Sequence, residues 1–133
     1  MKTTASTSKR ILVVDDEPGI CNVCVRVLTG EGFEVDIAVD GKDAQDRLWR
    51  KGKDYDLCLL DVRMPLVDGS EFHQWLKQKH PEMANRVIFI TGDVMSGDTE
   101  SLLEASGRPF LSKPFDIDWL KTVVKEALQQ AEK

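Results

Sequence analysis

The sequence has no apolar run that approaches the roughly 20 residues a helix needs to cross a bilayer. Its first residues also lack the apolar stretch of a secretion signal, so we expect a cytoplasmic protein with no membrane partner. Residues 1–8 are polar and rich in Thr and Ser and are expected to form a disordered leader. Residues 9–131 are expected to form one domain, because a chain of 133 residues can bury one hydrophobic core but not two.

The sequence also lacks an excess of basic residues and an even number of cysteines. Lys and Arg total 18 against 23 Asp and Glu, and the net charge of −5 argues against a nucleic-acid partner. The three cysteines are an odd number, which is typical of reduced thiols rather than a disulfide framework. Cys21 and Cys24 lie in an apolar helical stripe and Cys58 in an apolar run, so burial explains them better than redox or metal chemistry. His73 and His80 have no neighbouring metal ligands and are expected on helix surfaces.

What the sequence does contain is a fivefold alternation of strand-like and helix-like segments. In chain order, the predicted strands are residues 11–14, 33–37, 57–60, 87–90 and 110–112. Helices are predicted to begin near residues 18, 41, 69, 99 and 116. Five βα units of this kind predict a parallel sheet with right-handed crossovers and helices on both faces.

The chemistry of the strands also predicts their order. The first, third and fourth strands are continuously apolar, which is typical of central strands, whereas the second alternates and the fifth is short, as expected at the edges. The prediction is therefore an α/β fold with a doubly wound five-stranded parallel sheet in the order 2-1-3-4-5, which is flavodoxin-like. In this fold the ligand crevice lies beyond the carboxyl ends of the first and third strands.

Polar residues follow the strands at that crevice. Asp15 and Asp16 follow the first strand, Asp61 ends the third, Thr91 ends the fourth and Lys113 follows the fifth. Each is weak evidence alone, since Asp15 and Asp16 could simply cap the next helix. Together, three carboxylates at about 5 Å would repel by roughly 3 kcal/mol per pair, which a bound cation relieves. An all-oxygen ligand set favours Mg²⁺, with Mn²⁺ as the alternative. A carboxylate, a cation, a lysine and a hydroxyl are the parts that phosphoryl transfer needs.

Four motifs at these strand ends make about residues 9–130 resemble the receiver domains of two-component signalling. They are Val13-Val14-Asp15-Asp16-Glu17, the segment from Asp61 through Met64-Pro65 to Asp68-Gly69, Thr91-Gly92, and Lys113-Pro114-Phe115. The resemblance implies that Asp61 is the phosphoacceptor. It also implies that Asp16, Asp61 and the backbone carbonyl of Arg63 bind the metal directly, with Asp15 helping through water.

The resemblance implies further roles around the same crevice. Thr91 and Lys113 would contact the phosphoryl group, the bond into Pro114 would be cis, and Phe110 would be the aromatic switch residue. The phosphodonor would be a histidine kinase or a histidine phosphotransfer protein, and the surface of the fourth helix, fifth strand and fifth helix (α4-β5-α5) would change. A phosphorylation-dependent homodimer is one form this output can take. Leu66 departs from the most common motif, and the approach to strand five is similar to receivers of hybrid sensor kinases.

Arg63 and Asp93 lie two residues beyond Asp61 and Thr91, respectively, and are the predicted elements that set the lifetime of the phosphorylated state. An Asp could orient the attacking water, and an Arg opposite could restrain that Asp. The alternative is two independent solvated charges. Dephosphorylation rates of the single and double alanine variants distinguish these two cases.

Two other classes of protein remain as alternatives to a signalling switch. A Mg²⁺-dependent phosphatase with an aspartyl nucleophile usually has a second Asp where this sequence has Arg63. A flavodoxin-like cofactor binder would need a loop that attracts phosphate after the first strand, and here that loop is acidic. The expectation is therefore a switch rather than an enzyme, either a stand-alone regulator or part of a longer protein.

Overall fold

The computed structural model describes residues 9–51, 55–62, 69–92 and 97–131. In this part of the chain five parallel strands form one sheet in the order β2-β1-β3-β4-β5, which confirms the predicted order. The strands are β1 (Arg10–Val14), β2 (Glu34–Ala38), β3 (Leu57–Asp61), β4 (Val87–Thr91) and β5 (Phe110–Ser112). Because every strand runs in the same direction, all five carboxyl ends lie along one edge of the sheet.

Five helices connect or follow these strands, as predicted. They are α1 (Pro18–Gly30), α2 (Gly41–Lys51), α3 (Gly69–Lys79), α4 (Gly97–Ser106) and α5 (Ile117–Ala131). One helical turn, Pro81–Ala84, was not predicted, because Pro81 was interpreted only as a residue beyond the end of α3. A proline is well suited to the first turn of a helix, where no partner is needed for the missing N–H. The chain leaves α1 through Gly32, whose φ of +95° favours glycine.

The sheet divides the hydrophobic core of the domain into two halves, one on each face. Alternate residues of β1 point to opposite faces: Leu12 packs with residues of α2, α3 and α4, whereas Val13 packs with residues of α1 and α5. This is why β1, β3 and β4 are continuous apolar runs. Each fully buried Leu, Ile or Val side chain contributes about 1.5–3 kcal/mol, so the central strands anchor the edge on which the polar residues lie.

The three cysteines are buried free thiols, as the sequence indicated. Burial raises the pKa of Cys21 to about 11 and the pKa of both Cys24 and Cys58 to about 12. Thiols with such pKa values are protonated at neutral pH and react slowly. The three cysteines therefore act as packing residues of the core.

The surface position predicted for His73 is wrong. Only 3% of the residue is exposed, because the turn Pro81–Ala84 folds back against α3. Its Nε2 atom lies 3.2 Å from the Ala84 carbonyl oxygen, and its ring packs edge-on against Phe89 at 5.3 Å. Burial lowers the pKa of His73, which favours the neutral ring. His73 is therefore a hydrogen-bonded core residue.

Candidate functional site

Asp15 is held rigidly directly after β1. Its backbone N–H donates to the Ala38 carbonyl oxygen at 3.1 Å, and its Oδ1 atom accepts a hydrogen bond from the Glu17 N–H at 2.8 Å. The residue is fully buried. Helix α1 begins after an N-cap residue, Glu17, that makes no side-chain capping bond. Capping of α1 therefore does not explain the two aspartates.

Three carboxylates meet at the carboxyl edge, as the strand ends predicted. Oxygen atoms of Asp15, Asp16 and Asp61 all lie within 4.8 Å of one another. Asp61 is only 3% exposed, because it ends the central strand β3. The N–H of the next residue, Val62, donates a hydrogen bond to the Ile90 carbonyl oxygen of β4 and extends the pairing of the two strands. Asp16 is exposed. The cluster thus has a buried floor and one carboxylate at its mouth.

Lys113 brings the positive charge to this cluster. Its Nζ atom lies 3.3 Å from Asp15 Oδ2 and 3.6 Å from Asp61 Oδ2, and it also contacts the Glu17 carboxylate within hydrogen-bond distance. Its backbone N–H donates to the Thr91 carbonyl oxygen at 2.7 Å, which fixes the loop after β5. The bond from Lys113 to Pro114 is cis, as the resemblance implied.

The electrostatics of the site follow from this crowding. Burial raises the pKa of the Asp15 carboxyl above its ordinary value, although the Glu17 N–H and the Lys113 charge act to lower it. Burial acts to lower the pKa of Lys113, but Glu17, Asp61 and Asp15 outweigh it and the pKa is raised. Lys113 is therefore firmly protonated, whereas one carboxylate of the cluster is costly to ionise.

The carboxylate cluster fits a hard divalent cation. Asp15 Oδ2 is buried and, apart from the Lys113 ammonium at 3.3 Å, has no polar partner among the described residues, so a lone pair remains there for a cation. Asp16 is exposed and offers a cation an approach from solvent. The group contains oxygen ligands without His or Cys, and Mg²⁺ or Mn²⁺ prefers such sets.

Thr91 and Phe110 lie on the neighbouring strands β4 and β5. Thr91 is buried at the end of β4 and pairs in register with Ser112. Phe110 starts β5, pairs with Phe89 and is half-buried against the core next to α3 and α4. Gly92 directly follows Thr91 and is exposed, and a Cβ at this position would meet no heavy atom of the described residues within 4 Å.

Two residues of the predicted site, Arg63 and Asp93, lie outside the described residues. The metal contact of the Arg63 backbone carbonyl and the role of Arg63 and Asp93 as a lifetime pair stay predictions. The contact of the Glu17 side chain with Lys113 was not predicted. Glutamate is not a favoured N-cap residue, but this alone does not identify Lys113 as its partner.

The fold and the site together define a class of protein: a doubly wound sheet with acidic residues, a hydroxyl and a lysine at its carboxyl edge is the architecture of a receiver domain. The chain belongs to this family, because the family model for the response regulator receiver domain matches residues 11–125. It is therefore a receiver domain of two-component signalling, a family of signalling switches. Receiver domains generally bind Mg²⁺ at an acidic pocket and work with histidine kinases or phosphotransfer proteins.

Known proteins with similar sequences include whole regulators and kinases. The chain is 37% identical over 124 residues to the response regulator Rre1 of Synechocystis, covering 91% of this chain and 53% of that protein. It is 32% identical over 128 residues to the sensor kinase CckA of Brucella abortus, covering 96% of this chain but only 13% of that protein. The chain thus spans about half of one relative and a small part of the other.

Solved structures support the same fold. A CheY-like response regulator receiver domain from Methanospirillum hungatei matches with a TM-score of 0.83 and 28% identity. That match covers 95% of this chain and 98% of the solved chain. In the described part of the chain, no helix is both long enough and apolar enough to cross a membrane.

The substitution Asp15→Asn tests the electrostatic account of the cluster. Because the folded-state pKa of Asp15 lies above its unfolded-state value, ionising Asp15 favours the unfolded state, and this cost is complete above the folded-state pKa. Without metal at pH 7, the variant should be more stable than the wild type by about 1–3 kcal/mol, which is the cost of burying the ionised carboxylate less the lost attraction to Lys113. The difference should vanish below the unfolded-state pKa of about 4.

Urea denaturation in EDTA at a series of pH values measures this difference. The matched control is Asp118→Asn, which removes an exposed carboxylate on α5 and should show no comparable stabilisation. A variant Asp15→Asn that is less stable than the wild type at pH 7 would show that the attraction between Asp15 and Lys113 exceeds the cost of burial.

Proposed function

We propose that this receiver accepts a phosphoryl group on Asp61 from a phosphohistidine of a histidine kinase or histidine phosphotransfer protein, in a Mg²⁺-dependent reaction. One observation carries the proposal. The Asp61 carboxylate ends the central strand with its Oδ2 atom 3.6 Å from the Lys113 ammonium and within the cluster formed with Asp15 and Asp16. A nucleophile, a cation site and a fixed positive charge thus share one crevice.

Asp61 suits the role of nucleophile better than its two neighbours. Asp15 is fully buried and its Oδ1 atom accepts the Glu17 N–H, which commits it to holding the loop. Asp16 is exposed, and nothing in the described structure holds a phosphoryl group next to it as Lys113 would at Asp61. Asp15, Asp16 and Asp61, with the Arg63 carbonyl, would hold Mg²⁺, which when bound neutralises charge on the phosphoryl oxygens.

In the proposed transfer, an Asp61 oxygen forms a bond to phosphorus while the bond between phosphorus and the histidine nitrogen breaks. The electron pair of that bond leaves with the imidazole. Lys113 and the Thr91 hydroxyl stabilise the negative charge on the phosphoryl oxygens, because Lys113 follows β5 and Thr91 ends β4 at the same edge of the sheet. Later attack by water returns the free carboxylate and inorganic phosphate.

Labelling of the intact protein tests this proposal. Acetyl phosphate with Mg²⁺ should give one acid-stable, base-labile phosphoryl adduct per chain, because acyl phosphates are cleaved by base. The adduct should be absent in Asp61→Asn and unaffected in the control Asp118→Asn, and mass spectrometry measures it. An adduct that persists in Asp61→Asn, on Asp15 or a histidine, contradicts the assignment.

We further propose that phosphorylation changes the surface formed by α4, β5 and α5. The strand register supports this proposal. Thr91 on β4 pairs with Ser112 on β5, and Phe110 lies two residues before Ser112 on the same strand. Phe110 also borders a cleft of about 460 Å³ between β5 and α5, whose other walls include Trp119 and Val123. Movement of Thr91 toward the phosphoryl group would give Phe110 space to turn inward, and a homodimer is one output of that change.

Hydrogen exchange of the protein with and without phosphorylation tests the switch. Protection should change most between residues 91 and 117, because that range includes α4, β5 and the loop carrying Lys113. Asp61→Asn should show no change under the same conditions. Changes confined to α1 and α2 would place the switch surface elsewhere.

A further inference from the structure

The Lys113 ammonium has three carboxylate neighbours before any phosphoryl group arrives. They are Asp15 at 3.3 Å, Asp61 at 3.6 Å and Glu17 within hydrogen-bond distance. Among the described residues, only the Glu17 carboxylate accepts a hydrogen bond from the ammonium, whereas Asp15 and Asp61 lie at ion-pair distances. A phosphoryl oxygen that accepts a hydrogen bond from Lys113 must therefore compete with Glu17.

Glu17 is the neighbour that can leave. Asp15 is fully buried and held by the Glu17 N–H, whereas Asp61 is itself the carboxylate that carries the phosphoryl group in the proposed function. The Glu17 side chain is 58% exposed and can turn into water at little cost, because exposed ion pairs are weak. Its backbone stays fixed by the hydrogen bond to Asp15 while the side chain moves.

Helix geometry does not account for the position of the Glu17 side chain. Glu17 is the N-cap residue of α1 with an extended backbone, and it makes no side-chain capping bond. Asp40 and Asp116, in contrast, each accept a hydrogen bond from a backbone N–H three residues later at the start of a helix, at 2.7 Å. The Glu17 carboxylate instead contacts a lysine 96 residues away in the sequence.

We propose that Glu17 is an exchangeable counter-ion of Lys113, which holds the ammonium in the resting state and is displaced by the phosphoryl group. This inference rests on the proposed function and makes Glu17 a positioning residue that acts through Lys113. The ion pair competes with phosphorylation, so it lowers both the affinity for a phosphoryl group and the rate at which Asp61 is phosphorylated.

Two substitutions separate this competition from simple charge repulsion. Glu17→Gln removes both the negative charge and the ion pair, whereas Glu17→Asp keeps the charge but shortens the side chain by one methylene group. The matched control is Glu34→Gln, because Glu34 is also exposed and paired, with Arg10 at 3.2 Å, but on β2 far from the carboxyl edge.

Calorimetry with beryllium fluoride and Mg²⁺, as a stand-in for the phosphoryl group, measures the competition. Glu17→Gln and Glu17→Asp should both bind about fivefold more tightly than the wild type, the factor that corresponds to one weak exposed pair. Glu34→Gln should match the wild type. Labelling of Asp61 by acetyl phosphate should accelerate by a similar factor. Glu17→Asp should leave the affinity for Mg²⁺ alone unchanged, because Glu17 acts on the lysine and not on the metal.

Three results overturn the inference. Tighter binding in Glu17→Gln but wild-type binding in Glu17→Asp would show general repulsion without an ion pair. Weaker binding in both variants would show that Glu17 prepares Lys113 for the reaction instead of competing with it. Unchanged binding in both, with a wild type that is labelled on Asp61, would refute this inference alone. A wild type that takes no label would refute the proposed function first.

Discussion

The meeting of several carboxylates around one lysine is the constraint on which the carboxyl edge of this sheet depends. Lys113 follows the edge strand β5, yet its ammonium extends past the end of β4. It lies near Asp61, which ends β3, and near Asp15, which directly follows β1. One flexible four-carbon side chain therefore connects the carboxyl ends of three strands. The buried apolar strands fix where these charges stand, and the charges in turn determine which ligands the edge attracts.

This arrangement lowers the stability of the folded state. A buried carboxylate with a raised pKa costs folding free energy whenever it is ionised, and the two other carboxylates nearby increase that cost. A hydrophobic residue at position 15 would relieve it. Sites that break the local rules of burial are where function is expected, and here the same charges would bind a cation and position a phosphoryl group.

The sequence predicted the sheet order and the convergence of Asp15, Asp16 and Asp61 because both follow from strand chemistry. Continuously apolar strands must be buried on both faces, and parallel strands must end at one edge. Neither the Glu17 contact nor the burial of His73 could be read in this way. Both depend on where a long side chain or a short helical turn folds in three dimensions, which periodicity does not determine.

Cation binding by the carboxylate cluster is the central proposal, and thermal unfolding with and without Mg²⁺ tests it most directly. A free metal concentration of 100 times Kd should stabilise the wild type by about 2.7 kcal/mol. Asp16→Asn should lose most of this effect, whereas Asp118→Asn, which alters another exposed aspartate, on α5, should keep it. An unchanged midpoint for the wild type at millimolar Mg²⁺, or an equal shift in Asp16→Asn, would contradict the account.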